Sequence, residues 1–125
     1  MNIKFITIAV KDLEKSLKFY KEILNFTEVK RFSPMDGINI VFMKDKNSGL
    51  LELIENHNKP SEENDANTKV SIGLGVSDME LELDELKSKG VEPIRGPIEV
   101  PGGEKFVFIE DPDGVEIELI EGFMI

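Results

Sequence analysis

Glu52-Leu53-Ile54-Glu55 returns unchanged as Glu118-Leu119-Ile120-Glu121, an offset of 66 residues. A repeated tetrapeptide alone says little, but the same offset aligns Ile6 with Ile72, Val10 with Val76, Asp12 with Asp78, Leu17 with Leu83 and Lys21 with Lys87. It then carries Val41-Phe42 onto Val107-Phe108 and Asp45 onto Asp111. One register held across half the chain marks an internal duplication, so a site built by one copy should have a counterpart in the other.

Within a copy, period-two and helical patterns succeed one another. Lys4 to Val10 alternates apolar residues at Ile6, Ile8 and Val10, as a strand with one buried face does, and Ile72, Leu74 and Val76 repeat it. Asp12 is placed as a helix N-cap before a stripe of Leu13, Leu17, Tyr20 and Leu24. In the second copy Ser77 and Glu80 have capping-box spacing, Met79, Leu83 and Leu86 form the stripe, and Gly90 is placed to end the helix. Three strands are expected after each helix: Thr27 to Phe32, Asn39 to Lys44 and Leu50 to Ile54, then Val91 to Glu99, Lys105 to Ile109 and Val115 to Glu121. Asp111-Pro112-Asp113-Gly114 supplies turn chemistry between the last two. The fold expected is therefore α+β, with two tandem βαβββ modules over residues 1–56 and 69–125. A polar linker, 57–68, joins them into a single domain.

Composition narrows the function classes. At 125 residues the chain can bury one sizeable core but not two independent ones. With 40% hydrophobic and 32% charged residues, it is an ordinary globular sequence without an apolar run that could span a bilayer. Met1 leads straight into the first alternating segment without a secretory pattern, and cysteine is absent, so a cytoplasmic setting is expected. The net charge of −10 disfavours nucleic acid and anionic membranes and favours neutral or cationic ligands. Scattered acidic residues also serve solubility alone.

Alternation decides which residues reach a site. If Ile6, Ile8 and Val10 lie under the helix, Phe5, Thr7 and Ala9 face away from it, as do their repeat partners Ser71, Gly73 and Gly75. With Leu51, Leu53, Ile117 and Leu119 on the helix side, Glu52 and Glu118 point the other way as a pseudo-symmetric pair. Sheets covered on one side only could curve around a cavity, roomier over the small residues of the second copy than over Phe5. The same periodicity is met by an open sheet whose carboxylates face solvent.

Ile8-Ala9-Val10-Lys11-Asp12-Leu13-Glu14-Lys15-Ser16 followed by Phe19-Tyr20, the strand bearing Glu52, and Gly102-Gly103 leading through Phe108 to Asp111-Pro112-Asp113-Gly114 and Ile117-Glu118-Leu119 together resemble the vicinal oxygen chelate superfamily. It comprises glyoxalases, bleomycin resistance proteins and extradiol dioxygenases. The resemblance implies curved mixed sheets around a central cavity, a small-molecule ligand and a homodimer. Metal-dependent members take a His from the first strand and a Glu from the last strand of each module. Carried over by position, the two Glu ligands fall on Glu52 and Glu118, and the two His positions fall on Phe5 and Ser71. Phenylalanine offers no lone pair and a serine hydroxyl is a poor ligand beside imidazole, so no cofactor is expected. A divalent cation on the two carboxylates alone would be modestly held. The single histidine, His57, reads as an exposed loop residue.

Two functions follow from the resemblance. The first is a binder of the bleomycin resistance kind, without the usual His-dependent metal, in which Glu52 and Glu118 meet a cationic or aromatic ligand alongside Phe5, Ser71, Phe42 and Phe108. For Phe42 and Phe108 core packing is the commoner fate. The second is a glyoxalase-like lyase or isomerase with a degenerate metal site, in which Glu118 serves as general base on a carbon acid. Arg31 and Arg95 are candidates for holding a carboxylate, although solvated arginines are common. No nucleophile-elbow, P-loop or dinucleotide fingerprint is present.

Overall fold

The computed structural model describes residues 3–59 and 70–123. The chain divides into two compact units, Met1–Thr68 and Lys69–Ile125, each considered by itself below. Unit one runs β1 (Ile6–Val10), α1 (Leu13–Lys18), a π-helical turn (Phe19–Ile23), β2 (Thr27–Met35), β3 (Ile38–Lys44) and β4 (Leu50–Asn56). Unit two runs β5 (Ser71–Val76), α2 (Met79–Ser88), β6 (Arg95–Glu99), β7 (Lys105–Glu110) and β8 (Glu116–Glu121). The expected βαβββ modules are both present. Each folds into a four-stranded mixed sheet, ordered β1-β4-β3-β2 in one and β5-β8-β7-β6 in the other. In both, the first strand pairs parallel to the last, because the helix carries the chain from the first strand to the far edge of the sheet and two antiparallel steps bring the last strand back beside it.

The repeat register survives in three dimensions. Thr7 pairs with Glu52 and Phe42 with Glu52 in unit one; Gly73 pairs with Glu118 and Phe108 with Glu118 in unit two. Leu53, Val41 and Met43, all fully buried, form the helix side of the first sheet, and Ile117, Val107 and Ile109 do the same in the second. Ile6, expected under the helix, remains 46% exposed because it opens the edge strand β1.

Helix starts are fixed twice over. Asp12 and Asp78 cap α1 and α2 by accepting the N–H groups of Lys15 and Leu81. The Ser77 capping box is thus corrected: the N-cap is Asp78, whose extended backbone matches that of Asp12. The second support comes from the last residue of each tetrapeptide. Glu55 accepts the Leu13 N–H at 2.8 Å and Glu121 the Met79 N–H at 2.7 Å, tying each helix to the end of its β4 or β8 strand. At the far end of α2, the N–H of Gly90 bonds the Lys87 carbonyl and that of Val91 bonds the Leu86 carbonyl, a Schellman closure that Gly90 permits with φ +78°. This closure takes up the residues after Gly90, so β6 begins at Arg95 rather than at Val91.

The first helix departs from its simple stripe. Leu13, Leu17 and Tyr20 are buried, but the π turn brings Phe19 inward too and leaves Leu24 as its cap. The hairpin turns are equivalent at atomic level: Asp45 Oδ1 accepts from the N–H of Asn47 and Gly49, and Asp111 Oδ1 from Asp113 and Val115. Most of the expected linker, 60–68, lies outside the described residues.

Candidate functional site

The side of each sheet away from its helix carries a row of in-register residues across all four strands. In unit one the row is Thr7, Glu52, Phe42 and Lys30; in unit two it is Gly73, Glu118, Phe108 and Arg95. A small residue, a carboxylate, a phenyl ring and a cation therefore occur in that order on both open faces. The basic ends went unseen in the repeat because Lys30 and Arg95 stand 65 residues apart, one short of the common offset. The register of the sheets supplies the match. A β-bulge interrupts β2 between Glu28 and Lys30 and another interrupts β6 after Arg95, which absorbs the missing residue. The bulge in β6 needs its glycine: Gly96 has φ +93°, and a Cβ there would sit 2.7 Å from the Phe106 carbonyl oxygen.

Glu52 and Glu118, although equivalent in register, have different surroundings. Thr7 donates its hydroxyl to Glu52 Oε1 at 2.7 Å. The corresponding position beside Glu118 is Gly73, which has nothing to donate, and Glu118 has no side-chain partner among the described residues. Around Glu52 the face is aromatic. Phe5 meets Phe42 edge-on with centroids 5.0 Å apart, and Phe32 stacks with Phe42 at 6.4 Å. Lys30 Nζ rests 5.0 Å from the Phe32 centroid. Phe42 and Phe108, for which core packing was the commoner expectation, are half-exposed on the open faces instead, because each shares the parity of its neighbouring glutamate.

The open face of unit two is barer beside β5 and more charged beside β6. Ser71, Gly73 and Gly75 are all exposed, so the floor beside Glu118 is mostly peptide backbone. Neither Gly73 nor Gly75 has a positive φ, a Cβ at Gly75 would meet nothing within 4 Å, and one at Gly73 would meet only Ile120 Cδ1 at 3.8 Å. Neither backbone strain nor local crowding demands these glycines, which is the situation where a strand keeps its surface clear for something to approach. Arg95 lies over Phe108, its Cζ 4.2 Å from the ring centroid, and donates to Glu116.

Arg31 faces the opposite way from Arg95. It pairs with Val41 on the helix side, where it donates to Glu14 and Glu28. Arg31 and Lys21 together hold the Glu28 carboxyl at a pKa of about 2. Beside Arg31 a cavity of about 480 Å³ is lined by Leu13, Glu14, Arg31, Phe32, Ser33, Asn39 and Glu55, and Glu52 is not among its lining residues. Burial opposes ionisation of Glu55, but the Leu13 N–H, Asn39 and His57 outweigh it and set its pKa below the ordinary value. His57 is exposed, as expected, and its Nε2 lies 2.9 Å from Glu55, not beside Glu52. Sequence alone did not reveal the roles of Glu55 and Glu121; the signal available was their place beside the helix start, at the close of each tetrapeptide.

Comparison with known proteins agrees with this architecture. Residues 2–119 match the family profile of the Glyoxalase/Bleomycin resistance protein/Dioxygenase superfamily. A protein of Synechocystis described as "Probable lactoylglutathione lyase" is 35% identical over 120 residues, covering 91% of this chain and 90% of its own. The lactoylglutathione lyase of Neisseria meningitidis serogroup A is 31% identical, covering 97% and 91%. Among solved structures TnmS3, an antibiotic binding protein from a Streptomyces species, superposes with a TM-score of 0.76 at 22% identity, covering 97% of this chain and 95% of its own, a likeness of fold alone. With its duplicated modules, their shared register and a profile match over nearly its whole length, this chain belongs to the glyoxalase/bleomycin resistance protein/dioxygenase superfamily.

Proposed function

We propose that the chain is a small-molecule-binding protein that uses the open faces of its sheets and does not depend on a histidine-held metal. On the open face of the first sheet Glu52 would meet the cationic or hydrogen-donating part of a ligand, with Phe5 and Phe42 against its flat apolar part; on the open face of the second Glu118 would do the same, with Phe108 and Ser71 on that face. The observation that carries this reading is Glu118: a half-buried carboxylate with no partner among the described residues, between a phenyl ring and a bare glycine. An ionised group in that setting gains most from a ligand that supplies the missing donor.

Divalent metal is common in this family, and the residues here do not fit such a centre. At the four ligand positions stand Phe5, Glu52, Ser71 and Glu118, of which only the carboxylates are good donors. Thr7 already holds one oxygen of Glu52. The one histidine is engaged at Glu55 on the helix side, and among the described residues no three His, Cys, Asp or Glu side chains group as a metal site.

A second reading, a glyoxalase-like lyase or isomerase with Glu118 as general base, is favoured by the relatives described as lactoylglutathione lyases. Two measurements on the same preparation separate the readings. Thermal shift and calorimetry with cationic aromatic compounds should give binding that E118Q weakens about tenfold, the cost of one charge-assisted hydrogen bond. A lactoylglutathione lyase assay should give no turnover. Turnover abolished by a chelator and restored by a divalent ion would replace the binding reading with the second. The binding reading also takes the protein to be a homodimer, which light scattering checks as twice the chain mass.

A further inference from the structure

We infer that Arg95 is a carboxylate anchor on the open face of unit two, so that the ligand is a zwitterion, with its ammonium end at Glu118 and its carboxylate end at Arg95. The inference rests on the binding reading above and adds the ligand's charge pattern to it. Three features single out Arg95. First, it is aimed: the Gly96 bulge, which no side-chain-bearing residue could occupy without displacing the Phe106 carbonyl, lies immediately after it, and bulges redirect the side chains beside them. Second, its guanidinium lies over the Phe108 ring, Cζ 4.2 Å from the centroid, a contact that leaves less side-chain freedom to lose when an anion binds. Third, Glu116 is its sole side-chain hydrogen-bond partner among the described residues and takes only Nη2, so Nε and Nη1 keep N–H groups for a second acceptor.

Glu118, in the same row, is complementary. Arg95 and Glu118 stand in the same register with Phe108 between them, on strands two spacings apart, so their backbones are about 10 Å apart. The Arg95 guanidinium itself extends over Phe108 to Glu116 on β8, so the charged ends of the ligand can stand closer together than the two backbones do. A ligand that carries an ammonium and a carboxylate on one flat apolar frame supplies a counter-charge to each of the two groups. Unit one does not offer the same contacts, since Lys30 lies over Phe32 rather than Phe42 and Thr7 already engages Glu52. On a chain of net charge −10, an arginine presented on the binding face is set against the prevailing field, which suits a ligand carrying both signs better than a plain cation.

The test uses three probes that share one ring, read by ligand-observed NMR titration against the full chain: 4-(aminomethyl)benzoate, 4-methylbenzylamine and 4-methylbenzoate. The zwitterion should bind wild type at least tenfold more tightly than the amine. R95Q should abolish that advantage without weakening the amine, and R95K should restore it only in part, because an ammonium lacks the fork. Equal affinity of the zwitterion and the amine for wild type, or an advantage that survives R95Q, overturns the carboxylate anchor alone. If none of the probes binds to wild type, both the anchor and the binding reading beneath it fail. R95Q alters an exposed side chain, so an unchanged melting temperature confirms that the comparison reports binding.

Discussion

The two units share one scaffold and carry different surfaces. Cross-strand register, Asp N-caps, glutamate ties to the helix starts and Asx-bridged hairpins recur at the same offset. The open faces have diverged. Unit one places Thr7 against Glu52 and gathers Phe5, Phe42 and Phe32 beside it, whereas unit two leaves Glu118 bare beside two glycines and sets Arg95 over Phe108. Buried positions in a duplicated fold are constrained by packing density, so a change there costs stability. Open-face positions bear no such cost, and one duplicated frame can carry two unlike open faces.

The shared scaffold makes the largest prediction. Leu53 and Leu119 are equivalent and almost wholly buried, so L53A and L119A should each lose about 2–5 kcal/mol in urea unfolding, by similar amounts. A cost near zero in one unit would break the equivalence of the cores. Next come the helix ties. E55A and E121A should each cost about 1–3 kcal/mol, because the Leu13 or Met79 N–H loses its acceptor. E55A should cost more, since Asn39 and His57 lose a partner as well.

Acid should distinguish the units. The folded pKa of Glu28 is held down to about 2 by Arg31 and Lys21, and its repeat counterpart in unit two is Ile94. A carboxylate depressed on folding stabilises above its ordinary pKa and loses that contribution as pH falls through the folded value. Wild type should therefore lose stability between about pH 4.5 and 2, the interval between the ordinary and folded values of Glu28, with Glu55 contributing in the same direction. E28Q should flatten that slope in thermal melts, and an unchanged slope would show that the Arg31 cluster contributes nothing. The smallest effect on stability belongs to the glycines. G75A should change unfolding free energy by under about 1 kcal/mol, because there is room for its Cβ, whereas G75V should weaken binding of 4-methylbenzylamine severalfold. Unaltered binding by G75V would mean that the bare floor is not used.

Much of this was legible in the residues. The recurrence of Glu-Leu-Ile-Glu set the repeat, and alternation around Leu51, Leu53, Ile117 and Leu119 set the faces, since period two leaves only two choices and burial rejects one. Pairing across strands was less legible. Arg31 and Arg95 looked alike in sequence, yet with the bulges in β2 and β6 it is Lys30, not Arg31, that takes the register position of Arg95, so Arg31 lies on the helix side of its sheet. The cap on α2 was misread by one residue because Ser77 and Asp78 are both good caps, and only backbone conformation chooses between them. The contrast between Glu52 and Glu118 depends on Thr7 and Gly73, which are informative only once they are known to stand opposite the carboxylates.

Metal content of untagged protein, purified without chelator and measured by elemental analysis, tests most directly the claim that Glu52 and Glu118 serve a ligand rather than a metal. The account predicts far less than one transition-metal ion per chain. One tightly held zinc, nickel or manganese ion per chain, lost together with activity in E118Q, would contradict it and make the lyase reading the correct one.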